Sequence, residues 1–369
     1  MKRIVSYFFP TFLVATVLFV ACKTGVQNEN SQLTLNDSSW AMTSFIKMDS
    51  VNPILIPGMN KFTCPILKKE IVWDDKDVFN PAAVVRDNKV YLLFRAEDKI
   101  GKYAGTSRIG LAESSDGLHF SKMSTPVLFP AEDSLKSYEW EGGVEDPRVI
   151  ESEDGRYIMT YTAYDGKTAR LLIATSTDLI HWEKHGLVLQ GKYKNQWSKS
   201  GAIISKQVGS RIVGQKINGE YWMYFGDTDL FLCKSSDLIH WTPIEEGGKL
   251  KSVLKPRPGK FDSRLVESGP YALLTGDGVL LIYNSMNLDS GGDEHIPKGA
   301  YCAGQVLFDK NDPTKILKRL NQYFMKPDKN YEIEGQVNQV CFLEGLVYFN
   351  QKWFMYYGTA DSKIAVAVQ

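Results

Sequence analysis

The sequence predicts an all-β protein, a five-bladed β-propeller, from three observations. A short aromatic-rich strand recurs five times, about every 60 residues, each copy preceded by a Gly- or Asn-containing or related polar turn. A second marker, D-x-x-H-[FW], follows the aromatic strand in three of the five units. Beyond Cys22 no 3.6-residue apolar periodicity is sustained, which excludes a helical solenoid.

The aromatic strands are VYLLF (90–94) after Asp87-Asn88-Lys89, YIMTY (157–161) after Asp154-Gly155-Arg156, and YWMYF (221–225) after Asn218-Gly219-Glu220. VLLIY (279–283) follows Gly276-Asp277-Gly278, and WFMYY (353–357) follows Asn350-Gln351-Lys352. The second marker reads Asp116-Gly-Leu-His-Phe120, Asp178-Leu-Ile-His-Trp182 and Asp237-Leu-Ile-His-Trp241, each after a small-residue strand. One unit is therefore strand, turn, aromatic strand, loop, small-residue strand, and a turn into a fourth strand. The Asp of each marker is expected to tie its turn by side-chain to backbone hydrogen bonds. His119, His181 and His240 recur at one blade position, which points to architecture rather than catalysis. Residues 40–79 are expected to supply a closing strand and an N-terminal cover.

Composition narrows the function. The 369 residues carry 43 Lys+Arg against 43 Asp+Glu, so the basic surplus of a nucleic-acid binder is absent. The 5 Cys form no C-x-x-C pair and no Cys/His cluster, so neither a metal site nor a cofactor is expected. The aromatic load of 18 Tyr, 18 Phe and 8 Trp suits a β-rich protein or a sugar binder without choosing between them.

Residues 1–21 read as a signal peptide: Lys2 and Arg3, then an apolar run too short for a spanning helix. The run ends at Val20-Ala21-Cys22, which resembles a bacterial lipobox, although Phe19 departs from the usual Leu. Cys22 is expected to be lipidated and to anchor the protein to the bacterial cell envelope, at the periplasmic face or cell surface. The alternative is an ordinary secretory signal with an incidental Cys. Residues 22–39 are polar and read as a flexible tether, leaving 40–369 for the propeller.

In a propeller the first strand of every blade lines a central funnel, so polar residues there converge although distant in sequence. Those strands are placed at 80–85, 143–149, 199–204, 267–270 and 335–338. Glu145-Asp146-Pro147-Arg148 is the sharpest case, two acids and an Arg in an otherwise apolar strand. Burying charge costs several kcal/mol unless it is paired or functional. A carboxylate beside an Arg and a second acid can separate two pKa values for acid and base roles. An ion pair that locks the blade start explains the residues equally well.

An ordered series of strings extends this over nearly the whole chain. It runs through FNPAAVV (79–85), LLFRAED (92–98), GGVEDPRV (142–149), SKSGAII (198–204), YEIEGQVNQVCF (331–342) and MYYGTAD (355–361). The series resembles glycoside hydrolase family 130, the five-bladed mannoside phosphorylases and mannosidases. The resemblance implies an inverting enzyme with Asp146 as general acid, acting in phosphorylases through a sugar hydroxyl that relays the proton. It places Asn80, Arg95, Glu145, Arg148 and Asp361 in a sugar-binding ring. Arg170 and Lys199 fall near positions that serve phosphate in phosphorylase members, Arg170 with the less secure alignment.

The nucleophile separates the two branches. A phosphorylase needs fixed cations for phosphate; an inverting hydrolase needs a carboxylate that deprotonates water. The His-Arg pair that phosphorylases carry after the third aromatic strand is replaced here by Gly226-Asp227, and Glu267 opens the fourth blade. Either Asp227 or Glu267 is a candidate base; a turn acid and a surface acid are their plain alternatives. The expected activity is release of mannose from β-1,2- or β-1,4-linked mannosides. A β-mannoside phosphorylase, taking inorganic phosphate as partner, is the alternative. So is a non-catalytic glycan-binding lipoprotein, while an arabinanase-type furanosidase does not fit the string series. Trp197, Tyr164 and Trp140 are candidate sugar-stacking surfaces, or blade packing.

Overall fold

A computed structural model describes residues 38–369, which form one compact unit. The signal peptide, Cys22 and all but the last two tether residues lie outside the described residues. Among the described residues the fold is mostly β, with two four-residue helices, Lys136–Glu139 and Asn330–Ile333, and one 3₁₀ turn, Gly191–Tyr193. None of these helices is long or apolar enough to cross a membrane.

The strands group into five successive antiparallel units. The first is Asp77–Arg86, Lys89–Glu97, Ser107–Ser114 and Ser121–Lys122. The second is Gly143–Glu151, Tyr157–Tyr164, Ala169–Ser176 and Glu183–Leu187. In the third, Ala202–Val208 pairs with Tyr221–Phe225, which pairs with Leu230–Ser235; Thr242–Pro243 and Ser252–Leu254 share the outer edge. The fourth splits its first strand into Leu265–Ser268 and Ala272–Leu274, followed by Val279–Met286, Tyr301–Phe308 and Ile316–Arg319. The fifth is Cys341–Phe349, Lys352–Thr359 and Lys363–Val368, with Ile46–Lys47 added at its outer edge. The expected strand from the N-terminal region thus sits beside the last strand of the chain, Ile46 opposite Val368. The hairpin Lys61–Cys64 and Lys69–Val72 makes up part of the N-terminal cover.

All five aromatic runs are second strands of their units, because apolar side chains on both faces can be buried against both neighbours. Leu93, Leu111, Met159, Tyr161 and Leu172 join the first unit to the second. Tyr224 stacks on Phe308 at 4.7 Å between the third and fourth. Trp73, Phe94, Tyr356 and Val366 join the fifth to the first. Each such side chain contributes about 1.5–3 kcal/mol on full burial.

The D-x-x-H-[FW] turns are architectural, as expected. Asp178 Oδ1 accepts from the N–H groups of Ile180 and His181, and Oδ2 lies 2.7 Å from His181 Nδ1. Asp116 and Asp237 repeat the pattern with His119 and His240. Gly117, Leu179 and Leu238 share the left-handed φ this turn requires (77°, 70° and 70°).

One placement differs from expectation. The first strand of the fifth unit begins at Cys341, not at 335, and residues 335–338 form an exposed loop after the short helix. The reason is burial: the run CFLEGLVYF can be enclosed, whereas Gly335-Gln336-Val337-Asn338 exposes its polar groups to water.

Candidate active site

The site is built on backbone bulges near the starts of the first strands of two units. In the first unit the ladder shifts between Phe79 and Pro81 and leaves Asn80 out. In the second it shifts between Glu145 and Arg148 and leaves out Asp146 and Pro147. Asn80 and Asp146 take left-handed φ values of 47° and 49°, and Ser200 and Asp361 do the same at 58° and 50°. Such conformations cost non-glycine residues about 1–2 kcal/mol, least for Asn and Asp. Here the bulges take Asn80 and Asp146 out of the strand alternation and bring them together: Asn80 Nδ2 donates to Asp146 Oδ1 at 3.0 Å.

Arg95 is the hub. Its Nη1 donates to Asp146 Oδ1 (3.2 Å), and its Nη2 to Glu145 Oε1 (3.0 Å) and Glu97 Oε1 (2.7 Å). Nε donates to Ser107 Oγ at 3.0 Å, and the guanidinium lies 4.7 Å from the Phe79 ring centroid. All these carboxylates are buried. Burial raises the Glu145 carboxyl to about 7 despite the opposing Arg95 charge, and burial likewise raises Asp361 to about 7. Asp146 goes the other way. Burial opposes its ionisation, but Arg95, Lys199, Arg148 and the Asn80 amide together hold it well below the ordinary carboxylate range.

Lys199 Nζ lies 3.4 Å from Asp146 Oδ2 and 4.0 Å from Glu267 Oε1. Despite its burial, the surrounding carboxylates of Glu267, Asp146 and Glu145 keep Lys199 firmly protonated. Glu267 also accepts a short hydrogen bond from Ser200 Oγ, and burial raises its carboxyl above the ordinary value. Beneath these groups, Arg148 donates to the carbonyls of Asp146 (3.0 Å), Ser268 (2.8 Å) and Gly269 (3.0 Å). It stands 3.0 Å from Glu344 Oε1, yet neither Glu344 oxygen accepts a hydrogen bond. Burial pushes the Glu344 carboxyl far up, against the opposing charge of Arg148.

The structure therefore brings Asn80, Arg95, Glu145, Asp146, Arg148, Lys199, Glu267 and Asp361 into one electrostatic cluster from four of the five units and the turn closing the fifth. Arg170 is tied elsewhere: Nη1 pairs with Asp165 Oδ2 at 2.7 Å and Nη2 with Asn195 Oδ1 at 3.2 Å. Asp227 is half-buried beside the cluster, and its Oδ2 accepts the Trp197 indole N–H at 2.6 Å. Tyr164 packs edge-to-face on Trp197, whereas Trp140 is half-buried at the end of the Lys136–Glu139 helix.

Four members escaped the sequence reading. Glu97 stands in the charged end of LLFRAED, and Glu344 is a lone carboxylate in the apolar run CFLEGLVYF, a usable signal. Ser200 and Tyr301 carried none. Tyr301 is placed by the fold near the charges of Glu267 and Asp361, and burial raises its hydroxyl well above normal.

Residues 58–369 match the profile of a family described as beta-1,4-mannooligosaccharide phosphorylase, glycoside hydrolase family 130. The chain belongs to glycoside hydrolase family 130. A 1,2-beta-oligomannan phosphorylase of Thermoanaerobacter sp. (strain X514) is 32% identical over 333 residues, covering 88% of this chain and 96% of that protein. The crystal structure of a glycosyl hydrolase from Bacteroides ovatus is 45% identical with a TM-score of 0.87, covering 89% of this chain and 94% of that one. A third family 130 relative, 43% identical with TM-score 0.87, covers 89% and 94%. Its structure is described with the statement that this family of mannoside phosphorylases contains glycoside hydrolases that target beta-1,2 mannosidic linkages in Candida mannan.

Proposed function

We propose that this family 130 chain is an inverting exo-β-mannosidase whose nucleophile is water. Its five antiparallel units are the blades of a five-bladed propeller, and the carboxylate cluster lies at the axis. One observation carries the choice of nucleophile: the cations expected to serve phosphate are already matched by carboxylates. Lys199 stands between Asp146 and Glu267, and Arg170 is paired with Asp165. Arg95 is likewise matched by Glu97 and Asp146, so the cluster has no unmatched cation to offer a phosphate dianion and tolerates water.

Asp146 is the acid in this reading and Glu267 the base. One ammonium reaches both, so their separation cannot exceed the two legs of 3.4 and 4.0 Å together. The cations around Asp146 favour its ionised form, so a proton must reach it before it can act as the acid. Glu145 at about 7 shares Arg95 with Asp146 and is the neighbouring proton store at neutral pH. Burial raises the Glu267 carboxyl above its ordinary value, the direction that favours water activation. Asn80, Arg95, Arg148 and Asp361 hold the sugar.

The curated relatives at 24–32% identity are phosphorylases and favour the second reading, a β-mannoside phosphorylase using Lys199. Incubating the protein with β-1,2- and β-1,4-mannobiose, with and without phosphate, decides between them. Free mannose in both conditions is expected; mannose 1-phosphate formed only with phosphate overturns hydrolysis. No turnover, with mannosides still bound, establishes the non-catalytic reading instead.

The lipobox-like Val20-Ala21-Cys22 supports anchoring in a bacterial envelope, where a phosphorolytic product would save no ATP. Cys22→Ala is expected to shift the protein from the membrane to the soluble fraction; an unchanged membrane fraction overturns the anchor.

A further inference from the structure

Beside the cluster lies a hollow of about 500 Å³, lined in part by Gln196, Trp197, Gly226, Asp227, Thr228 and Phe231. Two backbone hydrogen bonds fasten it to the charged groups. Gly226 N–H donates to the Lys199 carbonyl (2.9 Å), and Val266 N–H, next to Glu267, donates to the Thr228 carbonyl (3.1 Å). Trp197 is 47% exposed at this hollow, unusual for an indole whose N–H is already committed to Asp227.

The indole is held in a fixed row of rings. Tyr164 meets Trp197 edge-to-face at 6.3 Å, and Tyr103 meets Tyr164 at 6.2 Å, both at 65°. Glycines make room for the row. A Cβ on Gly142 would lie 2.3 Å from Tyr164 Cδ1, and one on Gly166 would lie 2.2 Å from Tyr103 Cε2.

We propose that Trp197 and Asp227 form the subsite for the leaving-group sugar, a pyranosyl unit stacked on the indole with a hydroxyl bound by Asp227. This rests on the mannoside reading above and deepens it. A carboxylate accepts several hydrogen bonds, so the indole N–H leaves Asp227 capacity for a hydroxyl. A hollow of this size is in the range of small-ligand sites. Asp227 is then a sugar-holding residue, which leaves Glu267 alone as the base.

Titration calorimetry in an Asp146→Asn background, with β-1,2-mannobiose and with mannose, tests the assignment. Trp197→Ala should weaken mannobiose about tenfold and change mannose less than about twofold. Trp197→Phe should recover most of the loss, and Asp227→Asn should weaken mannobiose by about threefold or more. Mannobiose affinity within about twofold of the parent in Trp197→Ala overturns the subsite, as does a Phe variant as weak as Ala. Both variants sit at an exposed position, so folding is preserved. The binding readout stands whichever nucleophile is used, so phosphate-dependent turnover would remove the hydrolase reading alone.

Discussion

Lys199 Nζ lies 3.4 Å from Asp146 Oδ2, and the same ammonium stands 4.0 Å from Glu267 Oε1. One cation thus sets the ionisation of the proposed acid and the proposed base together. It lowers the proton affinity of Asp146, Glu145, Glu267 and Asp361 at once. Lys199→Met should therefore raise all of them. The pH profile of kcat/KM, which reports free-enzyme ionisations, should move upward by about one unit. An unshifted profile would remove Lys199 from that role.

The donor itself is tested by Asp146→Asn. Asn tolerates the left-handed φ of 49°, so the bulge should survive and thermal unfolding should be close to wild type. Mannoside turnover should fall by about 10²–10⁴. Activity within about tenfold of wild type would exclude Asp146 as the acid.

Asp361 and Glu145 carry a stability signature. Their folded values of about 7 lie above the ordinary carboxylate values, so the native state binds more protons than the unfolded state between roughly pH 4 and 7. Their contribution is complete below that window and is lost as pH rises through 7. Asp361→Asn and Glu145→Gln remove the buried charge. Each should raise the Tm relative to wild type by about 2–4 °C at pH 8, less at pH 5, while lowering turnover. A Tm difference independent of pH would contradict the assignment.

The repeated turns give a control remote from the chemistry. Asp178→Ala removes the acceptor of the Ile180 and His181 N–H groups and should destabilise by about 1–2 kcal/mol in urea denaturation. kcat should not change, because His181 is an exposed turn residue paired with Asp178. A loss of kcat without a loss of stability would return these His residues to the catalytic question.

Much of this molecule was legible in its residues. The five aromatic strands, the D-x-x-H-[FW] turns and the added N-terminal strand follow from local pattern, because apolar runs and Asx-type turns are decided within a few residues. So was the weight on Glu145-Asp146-Arg148, since charges in an apolar strand stand out. The first strand of the fifth unit begins later than expected, because polar Gly335–Asn338 stays in water while the apolar run from Cys341 is enclosed. Tertiary structure alone decided that Arg170 goes to Asp165, that Asp227 holds Trp197, and that Glu344 and Tyr301 join the cluster. Which cation meets which carboxylate depends on distances between strands far apart in the chain, and burial sets the proton affinities once those strands have packed.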